Sequence, residues 1–98
     1  VEAAAIAEVF GDVVPVSSLK GNIGHTLGAS GALELIVSLA SMKTGVIHPT
    51  LNLDTVDEGC KGILHVREPL RCEVGTLMKN CFAFGGINAA LVCRSPEM

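Results

Sequence analysis

The stretch "SLKGNIGHTLGASGALE", residues 18–34, decides how the chain is read. Glycines stud a segment that passes directly into an apolar helical pattern, and Lys20 and His25 stand just before the turn into helix. The glycines let backbone approach closely and leave little side-chain bulk around the imidazole. An otherwise apolar segment has no packing use for an ammonium beside it.

Working outward, Leu33, Ile36, Val37 and Ala40 follow the i, i+3, i+4, i+7 spacing of a helix, so this stripe is expected to face a core. Leu35 and Leu39 widen it, and Gly45 closes the helix. Upstream, the alanine-rich "VEAAAIAEV" (1–9) predicts a helix ended by Gly11, and "VVPVSSLK" (13–20) predicts a short strand with Pro15 at its edge. Residues 46–62 show little periodicity and carry Pro49, Asn52, Asp54, Asp57 and Gly59, which predicts an extended, turn-rich connection to a strand "ILHV" at 63–66. Two apolar runs, "TLMKNCFAF" (76–84) and "NAALVCR" (88–94), flank Gly85-Gly86-Ile87 and predict a hairpin. The order α, β, α, β, β, β makes this an α/β unit with helices against a mixed sheet.

Composition limits the function classes. The 98 residues are 49% hydrophobic and 17% charged, the latter well under the roughly 25% usual in soluble domains. So much apolar sequence in one small domain predicts a face meant for another body of protein, and the chain reads as part of a larger protein or as an obligate oligomer. No apolar run approaches the ~18 residues of a membrane span. A net charge of −3, scattered cations and 3% aromatic residues argue against a nucleic-acid surface. Cys60, Cys72, Cys81 and Cys93 lack any C-x-x-C or Cys/His ligand spacing, so reduced thiols in a cytosolic protein are expected rather than zinc or a disulfide framework. No cofactor or metal is implied.

Three features could carry chemistry. His25 reads either as a satisfied structural side chain or as a catalytic group. Lys20 and Glu34, the only acid in the long helix, read either as solvated surface residues or as an ion pair organising a site. A desolvated pair is weak evidence for stability, which is why it would hint at function. "NCFAFGGIN" (80–88) reads as a core hairpin, or as a glycine turn whose backbone N–H groups face a pocket, as in an oxyanion hole.

Taken together, "KGNIGHTLGASGALE" and "NCFAFGGINAALV" resemble the C-terminal half of the β-ketoacyl synthases, condensing enzymes of the thiolase-like superfamily. K-x-x-x-G-H paired with F-x-F-G-G-x-N carries the resemblance, which covers nearly the whole chain. Thiolases share a G-H-x-L-G-A-S-G run but end in a second cysteine-bearing loop that this sequence does not show. The resemblance implies the C-terminal half of a thiolase-like α/β fold over residues 1–98, helices packed on a mixed sheet of the five-stranded type.

The resemblance also implies roles. His25 would be the second active-site histidine, donating to the malonyl thioester carbonyl. Lys20 would be the active-site lysine, paired with Glu34. Phe84 would gate the acyl pocket and lend its N–H to an oxyanion hole, on a loop freed by Gly85 and Gly86 and pinned by Asn88. Cys81, Ala83 and Ile87 stand where the family usually has Ser, Gly and Thr. The nucleophilic cysteine and first histidine would lie N-terminal to Val1, so this chain alone is expected to be inactive. Implied partners are acyl carrier protein, acyl and malonyl thioesters, the missing N-terminal half and a second subunit in a homodimer or heterodimer, all cytoplasmic. The rival reading is a non-catalytic paralogue of the chain-length-factor type.

Overall fold

The computed structural model describes residues 1–83 and 85–96. The chain divides into two compact units, one of residues 1–24 and 48–70, the other of residues 25–47 and 71–98.

In the first unit, α1 (Glu2–Phe10) forms where the alanine-rich segment predicts it and stops at Gly11, whose N–H reaches Ala7 O at 2.9 Å. The expected strand over 13–20 is shorter. Only Pro15–Val16 (β1) pairs, in parallel with Leu64–His65 (β3), through the register Pro15↔Leu64 and Val16↔His65. The Ser18 N–H leaves the ladder for Thr50 Oγ1 at 3.0 Å. Leu19 then adopts right-handed helical angles and opens a single turn, α2 (Lys20–Ile23). Lys20 therefore stands at the start of a helical turn and not at a strand end.

Three of this unit's side chains, Leu19, Ile63 and Val66, are buried. The turn-rich connection is held by polar contacts instead of periodic packing: His65 Nε2 donates to Cys60 O at 2.6 Å, and Arg67 donates Nε to Leu53 O at 3.0 Å and Nη2 to Asp54 O. A 3-10 turn, Glu58–Cys60, begins at Asp57, whose carboxylate accepts the Gly59 N–H at 3.1 Å.

In the second unit a 3-10 turn (Leu27–Ala29) leads into α3 (Ser30–Thr44). Gly45 closes α3 in the left-handed region (φ 74°, ψ 23°), its N–H on Ser41 O at 2.9 Å. β2 (Val46–Ile47) follows, and β4 (Leu70–Arg71) lies where the chain passes from the first unit's residues to the second's. The hairpin forms as the sequence predicts: β5 (Thr76–Ala83) and β6 (Ile87–Arg94) run antiparallel from Thr76↔Arg94 to Ala83↔Ile87. The fold class is α/β.

One expectation fails in α3. The stripe Leu33, Ile36 and Ala40 is exposed, Ile36 at 62%. The more protected positions are Ser30, Gly31, Glu34, Leu35, Val37, Ser38, Ser41 and Met42, a mixed polar and apolar set. Glu34 is in that set because it has a charged partner on β5.

Candidate functional site

His25 belongs to the second unit, at the head of the segment that becomes α3. Its Nδ1 accepts the backbone N–H of Leu27 at 3.0 Å. In a neutral imidazole one ring nitrogen accepts and the other carries the proton. A backbone N–H can only donate, so the bond assigns the acceptor role to Nδ1 and leaves Nε2–H as a donor. Leu27 itself stands at φ 53°, a conformation that costs an L-residue roughly 1–2 kcal/mol. His25 itself is exposed.

Glu34 lies nine residues on, in the second turn of α3. Both of its oxygens are engaged. Oε1 meets Lys79 Nζ at 2.7 Å, and Oε2 accepts the Ser30 hydroxyl at 2.8 Å. The pair is nearly enclosed, with 13% of the Lys79 side chain and 11% of the Glu34 side chain exposed. Lys79 also donates to Asn80 O at 2.5 Å and to Cys81 Sγ at 3.2 Å. Burial pulls the Lys79 ammonium down, but hydrogen bonds to Glu34 and Cys81, with their charge, outweigh it and hold the group above the usual lysine value. Glu34 can stand among the protected positions of α3 because it meets this cation.

Sequence reasoning missed Lys79. The signal was present: period-two alternation puts Leu77, Lys79 and Cys81 on one face of β5. A cation on the face that packs against a helix requires an acid, and α3 holds one.

The remaining predicted residues fall as follows. Lys20 heads α2 in the first unit. Gly85 and Gly86 form the hairpin turn with φ 88° and 77°, and Asn88 sits opposite Phe82 in the ladder. Phe84 lies outside the described residues. Two shallow clefts of about 480 and 490 Å³ belong to the first unit, and none of the sequence-predicted site residues lines them. Among the described residues no cluster of His, Cys, Asp and Glu is arranged to hold a metal, and no helix is long and apolar enough to cross a membrane.

Residues 1–54, more than half of the chain, match the model of the β-ketoacyl synthase C-terminal domain. The chain belongs to the β-ketoacyl synthase family. It is 47% identical over 94 residues to 3-oxoacyl-[acyl-carrier-protein] synthase 1 of Escherichia coli K12, a match covering 95% of this chain and 23% of that protein. It is 43% identical to synthase 2 of Coxiella burnetii, covering 93% of this chain and 23% of that protein. Among solved structures, a β-ketoacyl synthase from Burkholderia phymatum superimposes with a TM-score of 0.91 at 46% identity, over 95% of this chain and 23% of that one. A type II polyketide ketosynthase, solved as AntDE:AntF with its acyl-carrier protein, gives a TM-score of 0.89 at 30% identity, over 96% of this chain and 24% of that one. The chain thus spans about a quarter of the length of the relatives it matches, and its fold is that of the corresponding part of a ketosynthase.

Proposed function

We propose that residues 1–98 are the C-terminal part of a 3-oxoacyl-[acyl-carrier-protein] synthase, which joins malonyl on acyl carrier protein to an enzyme-bound acyl thioester by decarboxylative Claisen condensation. The observation that carries the reading is the Leu27 N–H on His25 Nδ1. It supports the reading because a neutral histidine whose Nδ1 accepts carries its proton on Nε2, the atom that would donate to the substrate carbonyl.

The chemistry follows from that proton. Nε2–H donates to the thioester carbonyl oxygen of malonyl. As carbon dioxide leaves, the electron pair of the broken C–C bond moves into an enolate whose oxygen the same N–H stabilises. Preorganised donors aimed at developing oxyanions are typically worth about 3 kcal/mol each. The enolate carbon then attacks the acyl thioester, and the thiolate of the enzyme's nucleophile departs. In this reading Lys20 sets the field around the departing carboxylate, Glu34 organises the site, and the Phe84 N–H serves the second oxyanion. Gly85 and Gly86 let Phe84 move, and Asn88 anchors the loop. The nucleophilic cysteine and first histidine belong to a segment outside this chain, so the 98 residues alone are inactive.

The whole enzyme in this reading is a cytoplasmic dimer served by acyl carrier protein. The complex of the related polyketide ketosynthase with its own acyl-carrier protein supports that partner. The test is His25→Ala in the whole protein that carries this chain. Acyl transfer to the enzyme persists while malonyl decarboxylation falls by about 100-fold or more, as for loss of an oxyanion donor; unchanged condensation rejects the assignment.

A further inference from the structure

The proposed mechanism leaves one nearly buried ion in the second unit without a task. Lys79 has three N–H donors, and three acceptors take them: Glu34 Oε1 at 2.7 Å, Asn80 O at 2.5 Å and Cys81 Sγ at 3.2 Å. An ammonium so committed is no nucleophile and no proton shuttle. It is a clamp on whatever it holds, and what it holds is Glu34.

The geometry makes the clamp selective. Lys79 takes Oε1 while Ser30 takes Oε2, so the carboxylate plane is fixed from two elements, β5 and the first turn of α3. Each carboxylate oxygen retains capacity for a further donor. The packing is close, because a Cβ on Gly31 of α3 would lie 3.5 Å from Cys81 Sγ. β5 continues from Lys79 to Ala83 and then to the glycine turn, while the peptide preceding α3 contains His25. The ion pair therefore ties the helix behind the histidine to the strand that feeds the turn.

We propose that Lys79 is a positioning residue for the decarboxylation half-reaction, acting through the Glu34 carboxylate whose charge it balances and whose orientation it fixes. The inference rests on the reading above, in which Glu34 organises the site. Removing Lys79 takes the charged donor from Glu34 Oε1, and the carboxylate reorients or draws its remaining partners out of place. The effect falls on the step that uses the site and spares acylation of the nucleophile.

The experiment compares wild type, Lys79→Met, Lys79→Arg, Glu34→Gln and the Met/Gln double variant in the whole protein that carries this chain. Acyl transfer and malonyl-thioester decarboxylation are measured separately on each. The expected result is a ratio of decarboxylation to acylation about 10-fold lower in Lys79→Met, recovered to within about 3-fold of wild type by arginine, with the double variant no slower than Glu34→Gln. A purely structural lysine lowers both half-reactions by one common factor, and that outcome overturns the proposal. So does an unchanged ratio, or losses that multiply in the double variant. If Lys79→Met yields no folded protein, Lys79→Gln carries the same expectation and the same refutation. Full decarboxylation in His25→Ala sinks the reading of the site, and this inference with it. A slow His25→Ala beside an unaffected Lys79→Met sinks the inference alone.

Discussion

The backbone N–H of Leu27 points at Nδ1 of His25 across 3.0 Å, from a residue held at φ 53°. Leu27 and Asn52 are the non-glycine residues with positive φ among those described, and one of them serves the imidazole. Strain held where a functional group needs a donor is a recurrent feature of sites. Leu27 is 78% exposed, so burial of its side chain does little to offset that strain.

Leu27→Gly tests this. Glycine adopts the same angles without the Cβ clash and keeps the N–H. The substitution is expected to stabilise the protein by about 1 kcal/mol, the lower end of the left-handed penalty, and to leave decarboxylation within about 3-fold of wild type. Denaturant midpoints check the first part and kinetics the second. Destabilisation would show that the leucine side chain is covered in the whole protein.

Lys79 yields a pH prediction with a definite sign. Its folded value lies above the ordinary lysine value of 10.5, so its stabilising contribution is complete below that value and is lost as pH rises through the higher folded one. The stability gap between wild type and Lys79→Met is therefore expected to stay flat from about pH 7 to about pH 10 and to close above it. At neutral pH, breaking an enclosed ion pair by removing one partner costs about 3 kcal/mol. Urea titrations across that range measure the gap; one that already narrows well below the ordinary lysine value contradicts the assignment.

The sequence made the hairpin, both longer helices and the family legible because each rests on a local signal: alanine content, 3.6-residue spacing, a double glycine between apolar runs. The resemblance rests on two short motifs far apart in the chain, and identity at 47% over 94 residues, 23% of the length of a synthase, agrees with them. What escaped was non-local. The strand over 13–20 broke because the Ser18 N–H found Thr50, 32 residues away. The helix face was misread because periodicity counts apolar side chains, and the face of α3 that packs on β5 is organised by Glu34 and a lysine 45 residues downstream. The donor to His25 was invisible because it is a main-chain group, which every residue carries.

Two glycines in the same motif are expected to respond in opposite directions. A Cβ on Gly21 would lie 2.7 Å from Leu51 O, a backbone atom that cannot swing aside. Gly21→Ala is thus expected to destabilise by about 2 kcal/mol through overpacking. At Gly28 a Cβ meets nothing within 4 Å and φ is not in the left-handed range, so Gly28→Ala gains about 0.5 kcal/mol by restricting the unfolded chain. Thermal melts of the two variants side by side decide it, and equal shifts would mean that the contact with Leu51 can relax.

The hairpin turn separates conformational need from steric need. A Cβ at Gly85 or Gly86 meets nothing within 4 Å, yet both residues hold positive φ, 88° and 77°. L-alanine at either position is therefore disfavoured by its backbone alone, by about 1–2 kcal/mol. D-alanine, introduced by semisynthesis, prefers positive φ and is expected to be tolerated. If the glycines serve loop motion in the proposed reaction, D-alanine in place of Gly85 restores stability while condensation stays slow, because the turn regains its shape and loses its freedom. Full recovery of both would confine the two glycines to shaping the turn. The comparison of L-alanine, D-alanine and the native glycine at this position, by melting temperature and by condensation rate, reads the two roles separately.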